Sequence, residues 1–264
     1  MNVTSFFDVD NPYVRWGTGS YISANVGHWI GVLLCEFLVY VVKVPLLDQG
    51  KESRRDSIAK TQLVLSYGRQ FREAAWNMLG PTAVINSLLL SYILQYFVQE
   101  RSTYSLTVNE FGLHFILLQL IGDLGLYWGH RIQHEVEFLW VHCHSYHHQI
   151  RTPTAISTVC IDQIDATLQA GIPMLVAIAL VRPHHLTMYA YIAARLFENV
   201  VNHSGINSVL FDIITLKVLP FRASIKHHDD HHRYSNYARN AKNYGENFVI
   251  WDRMFGTSRK TTQD

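Results

Sequence analysis

Long apolar blocks set apart by short polar stretches dominate the chain as far as Val201. Asn25 to Leu47 is interrupted only by Glu36 and Lys43, Trp76 to Val98 carries no charge, and Phe111 to Trp128 holds only Asp123. Each is close to the ~20 residues that cross the hydrocarbon layer as a helix. Leu168 to Val181 is apolar but short, and Leu186 to Val201 contains Arg195 and Glu198. Joined through Arg182, Pro183, His184 and His185, this pair predicts a tight helical hairpin within residues 163–201, either spanning or re-entrant. A soluble helical protein of this size would have to hide three helices that are apolar all round, which it does poorly.

The expected fold is an all-α membrane protein, a bundle of about four transmembrane helices with a histidine-rich helical cap. It reads as one domain over residues 1–264. A polar N-terminus (1–24) precedes membrane helices (25–128), and a histidine-rich part (129–264) contains the hairpin. Lys51, Arg54, Arg55, Lys60, Arg69 and Arg72 cluster between the first two spans, which predicts a cytosolic loop there. The segment after Trp128 then returns to the cytosol. No cleavable signal peptide is expected from the first residues, and Asn2-Val-Thr4 forms a glycosylation sequon on the predicted non-cytosolic side.

Composition narrows the function. Charged residues are 16 % of the chain, below the roughly 25 % of an ordinary soluble domain. Lys plus Arg number 22 against 21 for Asp plus Glu, so charge offers no case for nucleic acid. Three cysteines without a Cys-x-x-Cys pair argue against both a disulfide framework and a thiolate zinc site. Of 15 histidines, 13 lie from His130 onward.

Those histidines are patterned. His130 and His134 form His-x-x-x-His. His144, His147 and His148 form His-x-x-His-His, and His228, His231 and His232 repeat that pattern, with His227 just ahead. Residues three and four apart share a helix face, so each cluster aims two or three imidazoles at one point. Eight such rings cannot pack together empty, because each buried ring nitrogen needs a partner. Neutral imidazole is the commonest metal ligand in proteins. The ligand count fits two ions better than one closed tetrahedral zinc, while imidazole alone leaves iron, zinc and copper open. Arg131 stands where a His-Glu-x-x-His protease would carry its glutamate base.

Together these segments resemble the membrane-bound fatty acid hydroxylase / sterol desaturase superfamily. The resemblance runs through Asp123-Leu-Gly-Leu-Tyr-Trp-Gly-His-Arg-x-x-His134 and Leu139-Trp leading to His144-x-x-His-His148. It continues through Glu198-Asn-Val-Val-Asn-His203-Ser-Gly205, His227-His-Asp-x-His-His232, Asn243-Tyr-Gly245 and Trp251-Asp-Arg-Met-Phe-Gly-Thr257. It implies a pair of iron ions, O₂ as oxidant, a lipid substrate (sterol, sphingoid or fatty acyl), and electrons from NAD(P)H through a b-type cytochrome or reductase. The implied ligands are His130, His134, His144, His147, His148, His203, His228, His231 and His232. Where some relatives have a further histidine, this chain has Asn199. His227 is a substitute ligand or an outer partner of the site.

Asp123, Glu198 and Asp229 are candidates for holding ligand rings from behind. For Asp123 the competing reading is an ion pair with Arg131 or Arg195. Trp251 to Thr257 is expected to form a packed C-terminal lid, and His28, His114, His184 and His185 to serve packing or the membrane interface. Within the family the resemblance is closest to 4-methylsterol oxidases. Desaturases, sphingoid-base or fatty acid hydroxylases and aldehyde-deformylating enzymes are the alternatives. It also implies an endoplasmic reticulum membrane with the site facing the cytosol, or a bacterial inner membrane, and allows an oligomer. Two other classes compete. A metal transporter would place its ligands within the spans, whereas here they follow them. A zinc hydrolase would need a base that the clusters lack.

Overall fold

The computed structural model describes residues 11–47, 66–97, 105–150, 152–235 and 241–259. Four of its basic-loop residues, Lys51, Arg54, Arg55 and Lys60, and the Asn2 sequon fall outside them. Four helices among the described residues are long and apolar enough to cross a bilayer: Tyr13–Val42, Tyr67–Tyr96, Val108–Glu135 and Gln163–Val181.

The first helix, α1 (Tyr13–Val42), starts well ahead of Asn25, within the stretch expected to be a polar terminus. Its opening turns are set by tertiary contacts that hydropathy does not register. Tyr189 donates its hydroxyl to the Arg15 carbonyl, and Ser91 Oγ donates to the Pro12 carbonyl at 2.9 Å. The second span is split at Gly80 into α2 (Tyr67–Leu79) and α3 (Pro81–Phe97). Proline opens α3 because the first helical turn needs no N–H donor there. Ser66 caps α2 by accepting from the Arg69 N–H. Helix α4 (Val108–Glu135), capped by Thr107, runs two turns beyond the expected end and so carries His130 and His134.

Residues 137–148, here α5, form a short run that includes a π-type turn at Trp140–His144 and ends in Ser145–His148. A 3₁₀ turn, Ala155–Val159, leads to α6 (Gln163–Val181). Helix α7 (His185–His203) begins after Arg182 turns the chain at φ 51°, with His184 Nδ1 accepting from the Leu186 N–H. The expected hairpin is therefore present in connectivity but not in packing. Helix α6 lies along α4, and α7 lies along α1. Small residues permit both approaches: a Cβ on Gly27 would sit 2.1 Å from the Ala193 carbonyl oxygen, and one on Gly129 2.4 Å from that of Leu168. Close backbone approach of this kind is how helices associate in lipid, where apolar side chains gain little from one another.

Helices α8 (Val209–Ile214), α9 (Ile225–Tyr234) and α10 (Ile250–Met254) complete the cap. No strand occurs among the described residues, only isolated bridges such as Arg222 with Phe248. Leu33, Ile85 and Leu180 point outward from the spans and are well exposed, as lipid-facing side chains must be.

Candidate metal centre

Four elements converge at the C-terminal end of α4. The last two turns of α4 bring His130 and His134, α5 brings His144, His147 and His148, the end of α7 brings His203, and α9 brings His228, His231 and His232. All nine are buried. Their nitrogens sort into two groups, within each of which every ligand atom lies within 4.8 Å of the others: His130, His134, His144, His148 and His231, then His147, His203 and His232. His228 adjoins the second group, its Nε2 3.1 Å from that of His203.

The outer ring nitrogens reveal the protonation pattern. His130 Nδ1 faces the Tyr244 carbonyl at 3.0 Å, His147 Nδ1 that of Cys160 at 3.3 Å, His203 Nδ1 that of Asn199 at 2.8 Å, and His231 Nδ1 that of Lys242 at 2.6 Å. His144 Nδ1 meets the Asp165 carboxylate at 2.8 Å, with both side chains fully buried. Every one of these partners is an acceptor, so each Nδ1 carries the proton and each Nε2 presents a bare lone pair. His147 and His203 then point two lone pairs at each other across 3.3 Å. Only a cation between or beside them makes such a contact favourable.

Burial keeps the rings neutral. It drives His144, His148, His228, His231 and His232 well below the usual imidazole range, and neighbouring imidazoles add to the effect. His203 is pushed down to about 3, and His147 is lowered by burial against the opposing pull of Asp165. His130 Nε2 and both nitrogens of His232 are buried without any hydrogen-bond partner. Orphaned atoms of this kind cost free energy unless something fills the site. The spacing also suits a metal. Ligand nitrogens about 2.1 Å from an ion lie ~3.0 Å apart at right angles and ~3.4 Å apart at the tetrahedral angle. The Nε2 pairs His134–His144, His148–His231 and His203–His228 are separated by 3.0, 3.1 and 3.1 Å. With His147 and His203 at 3.3 Å, the donor set spans the separations of both geometries and fits metal ions held by imidazole.

Several expected roles change. His227 is no ligand: its Nε2 sits 3.2 Å from Asp252 Oδ2, facing the C-terminal segment. Asn199 serves through its backbone carbonyl, while its buried side-chain Oδ1 has no hydrogen-bond partner. Asp123 holds no imidazole. It pairs with Arg195 at 3.3 Å and accepts from the N–H groups of Asn247 and Phe248 and from Trp251 Nε1. Glu198 pairs with Arg222, and Asp229 with Arg233 at 3.9 Å. Asp123 is thus held by a cation and N–H groups, the ion pair with Arg195 that was its competing reading.

The residue that does support a ligand ring from behind, Asp165, lies just ahead of the apolar Leu168–Val181 run and carried no signal linking it to His144. Trp140 also bears on the site. Its half-buried ring lies 4.9 Å from that of His134 and 5.4 Å from that of His148.

A family model described as fatty acid hydroxylase matches residues 115–257. The chain belongs to the fatty acid hydroxylase family. It is 31 % identical over 177 residues to very-long-chain aldehyde decarbonylase GL1-11 of Oryza sativa subsp. indica, covering 65 % of this chain and 62 % of that protein. It is likewise 31 % identical over 173 residues to methylsterol monooxygenase 2-2 of Arabidopsis thaliana, with the same two coverages. Methylsterol monooxygenase 1 of Rattus norvegicus is 30 % identical over 138 residues, or 52 % of this chain and 44 % of that one. The match thus spans about three fifths of the length of the first two relatives. No solved structure matches the chain.

Proposed function

We propose that this protein is a membrane-bound di-iron oxygenase that oxidises a C–H bond of a lipid, most like a C4-methylsterol monooxygenase. The observation that carries this reading is the inward-facing set of bare Nε2 lone pairs, fixed from behind by carbonyls and a carboxylate. The family is iron-dependent, and a set of nine imidazoles exceeds what one closed tetrahedral zinc would take. When bound, the two irons would supply the redox chemistry with O₂ that an unactivated C–H bond requires.

The chain's own residues do the rest. Their proposed ligand set is His130, His134, His144, His148 and His231 for one ion and His147, His203, His228 and His232 for the other. Asp165 and the carbonyls of Cys160, Asn199, Lys242 and Tyr244 keep His144, His147, His203, His231 and His130 in the ligating tautomer. Burial of the nine imidazoles excludes bulk water. A groove of about 260 Å³ between α4 and α6 is lined only by apolar side chains and glycines, among them Ile121, Ile132, Leu139 and Val176. It adjoins His130 through Gly129 and would admit the hydrocarbon part of a substrate straight from the bilayer. Electrons are assigned to an NAD(P)H-linked b-type cytochrome or reductase on the cytosolic face of the endoplasmic reticulum, or of the inner membrane in a bacterium. Equal similarity to an aldehyde decarbonylase supports a second reading, in which the same centre acts on a long-chain aldehyde.

Purified protein should contain about two irons per chain and turn over a 4-methylsterol, with a reductase, only when O₂ is present. Incorporation of ¹⁸O from ¹⁸O₂ would identify a hydroxylated product, and release of a one-carbon fragment from an aldehyde would select the second reading. Full activity in metal-free protein, or turnover without O₂, would overturn both.

A further inference from the structure

The two histidine groups are held by different parts of the chain. In the five-histidine group, His130 and His231 take their tautomers from the carbonyls of Tyr244 and Lys242, both in the segment leading to α10. In the second group, His147 and His203 rely on Cys160 and Asn199, which lie outside that segment, although Asn202 beside His203 donates to the Glu246 carbonyl at 3.0 Å. The 242–246 loop is not regular structure, so its carbonyls point at the imidazoles only while something holds the backbone in place.

Ser235 holds its start and Asn202 its end, and the Tyr244–Gly245 stretch between them is anchored by Asp252 on α10, fully buried. Its Oδ1 accepts from the Tyr244 N–H at 2.9 Å and from Thr257 Oγ1 at 2.7 Å. Its Oδ2 accepts from the Gly245 N–H at 2.8 Å and faces His227 Nε2 at 3.2 Å. The loop is tied at its base as well, where the Asn243 N–H donates to the Thr257 carbonyl at 2.9 Å. Thr257 in turn meets Tyr127 on α4, a turn before His130. Asp252 therefore fixes directly the backbone behind His130, while Ser235, bonded to both the N–H and the carbonyl of Lys242, holds the backbone behind His231.

We propose that Asp252 is a positioning residue for the five-histidine group alone, so that the C-terminal segment sets the affinity of one metal site and leaves the other untouched. This rests on reading the histidine groups as metal sites. Trp140 supplies a reporter specific to that site, because its ring touches those of His134, His144 and His148 and all three belong to the five-histidine group.

The test titrates metal-free full-length protein in detergent with Co²⁺ or, anaerobically, Fe²⁺. Trp140 emission is isolated as the difference between each protein and its Trp140→Phe counterpart, and total bound metal is measured alongside. Asp252→Asn replaces half of the acceptor with an N–H₂ that cannot receive from Gly245. Loss of such outer partners typically weakens metal binding 10- to 100-fold. The expected result is a shift of that size in the Trp140-reported step, with the second binding step unmoved and about one ion fewer retained per chain. His227→Ala should leave both steps in place, since its ring is the one Asp252 partner outside the strap. If Asp252→Asn does not fold, Thr257→Val removes one donor and should shift the same step by a smaller factor. An equal shift of both steps, no shift in either, or a His227→Ala effect matching that of Asp252→Asn would overturn the proposal. Wild-type protein that takes up no metal would instead refute the metal reading itself.

Discussion

Replacing Asp165 by alanine should separate metal affinity from fold stability, moving the two in opposite directions. Asp165 sits in the first turn of α6, and its Oδ2 receives His144 Nδ1 at 2.8 Å with neither side chain exposed. A hydrogen bond to a buried carboxylate contributes about 1.5–3 kcal/mol. At about 1.4 kcal/mol per factor of ten, its loss should weaken binding at the five-histidine group about 10- to 100-fold, since His144 is then free to adopt the non-ligating tautomer. The metal-free protein responds differently. Burying a carboxylate is costly, so alanine relieves that cost and the apo-protein should keep or gain thermal stability. The assay is anaerobic Fe²⁺ titration of apo-protein beside thermal unfolding in the same detergent. Unchanged affinity, or an apo-protein melting temperature that falls along with affinity, would refute the positioning role given to Asp165.

Asp123→Ala should behave in the reverse sense. It leaves Arg195 with only its Glu246 partner at 2.7 Å and strands the N–H groups of Asn247 and Phe248, all buried, each unsatisfied donor costing about 1–3 kcal/mol. Early unfolding in detergent, with protease cleavage near residue 246 preceding loss of the spans, is the expected result, and a wild-type melting temperature would contradict it. Lys217 predicts a pH effect. Desolvation lowers its ammonium to about 8, although it donates to Asn202 Oδ1 and the Ala223 carbonyl. Below pH 8 the folded state carries the full cost of that buried charge, about 3 kcal/mol from the size of the shift. Between pH 8 and about 10.5 the unfolded chain holds the proton that the folded chain has released, so stability rises. Lys217→Met should flatten that rise in unfolding free energy, and an unchanged slope would show that Lys217 is not its source.

What was legible in the chain came from periodicity and length. Three apolar runs predicted three spans, the fourth was legible only as part of a hairpin within residues 163–201, and the repeated three- and four-residue histidine spacing identified the clusters before any fold was known. These signals are local, because one helix turn decides whether two imidazoles share a face. Partners at long range were not legible. Nothing near His144 announces Asp165, and Tyr244, Lys242 and Cys160 act through backbone carbonyls, which every residue type possesses. The same limit left Asp123 open between a ligand support and an ion pair. Seven residues from His130, it has the right period to support a ligand, yet the tertiary fold brings Arg195, the Asn247 and Phe248 N–H groups and the Trp251 indole to it first.

By itself, the order of residues determined the helical class, the membrane habit and the identity of the metal-seeking side chains, since these follow from hydropathy and from donor chemistry. Only the folded chain decided how nine imidazoles divide into two groups, which of their nitrogens carry protons, and which segment holds each group. Those properties depend on contacts between residues up to 114 positions apart, such as His130 with Tyr244. The tautomer of a ring is set by whatever acceptor the fold delivers to its far side.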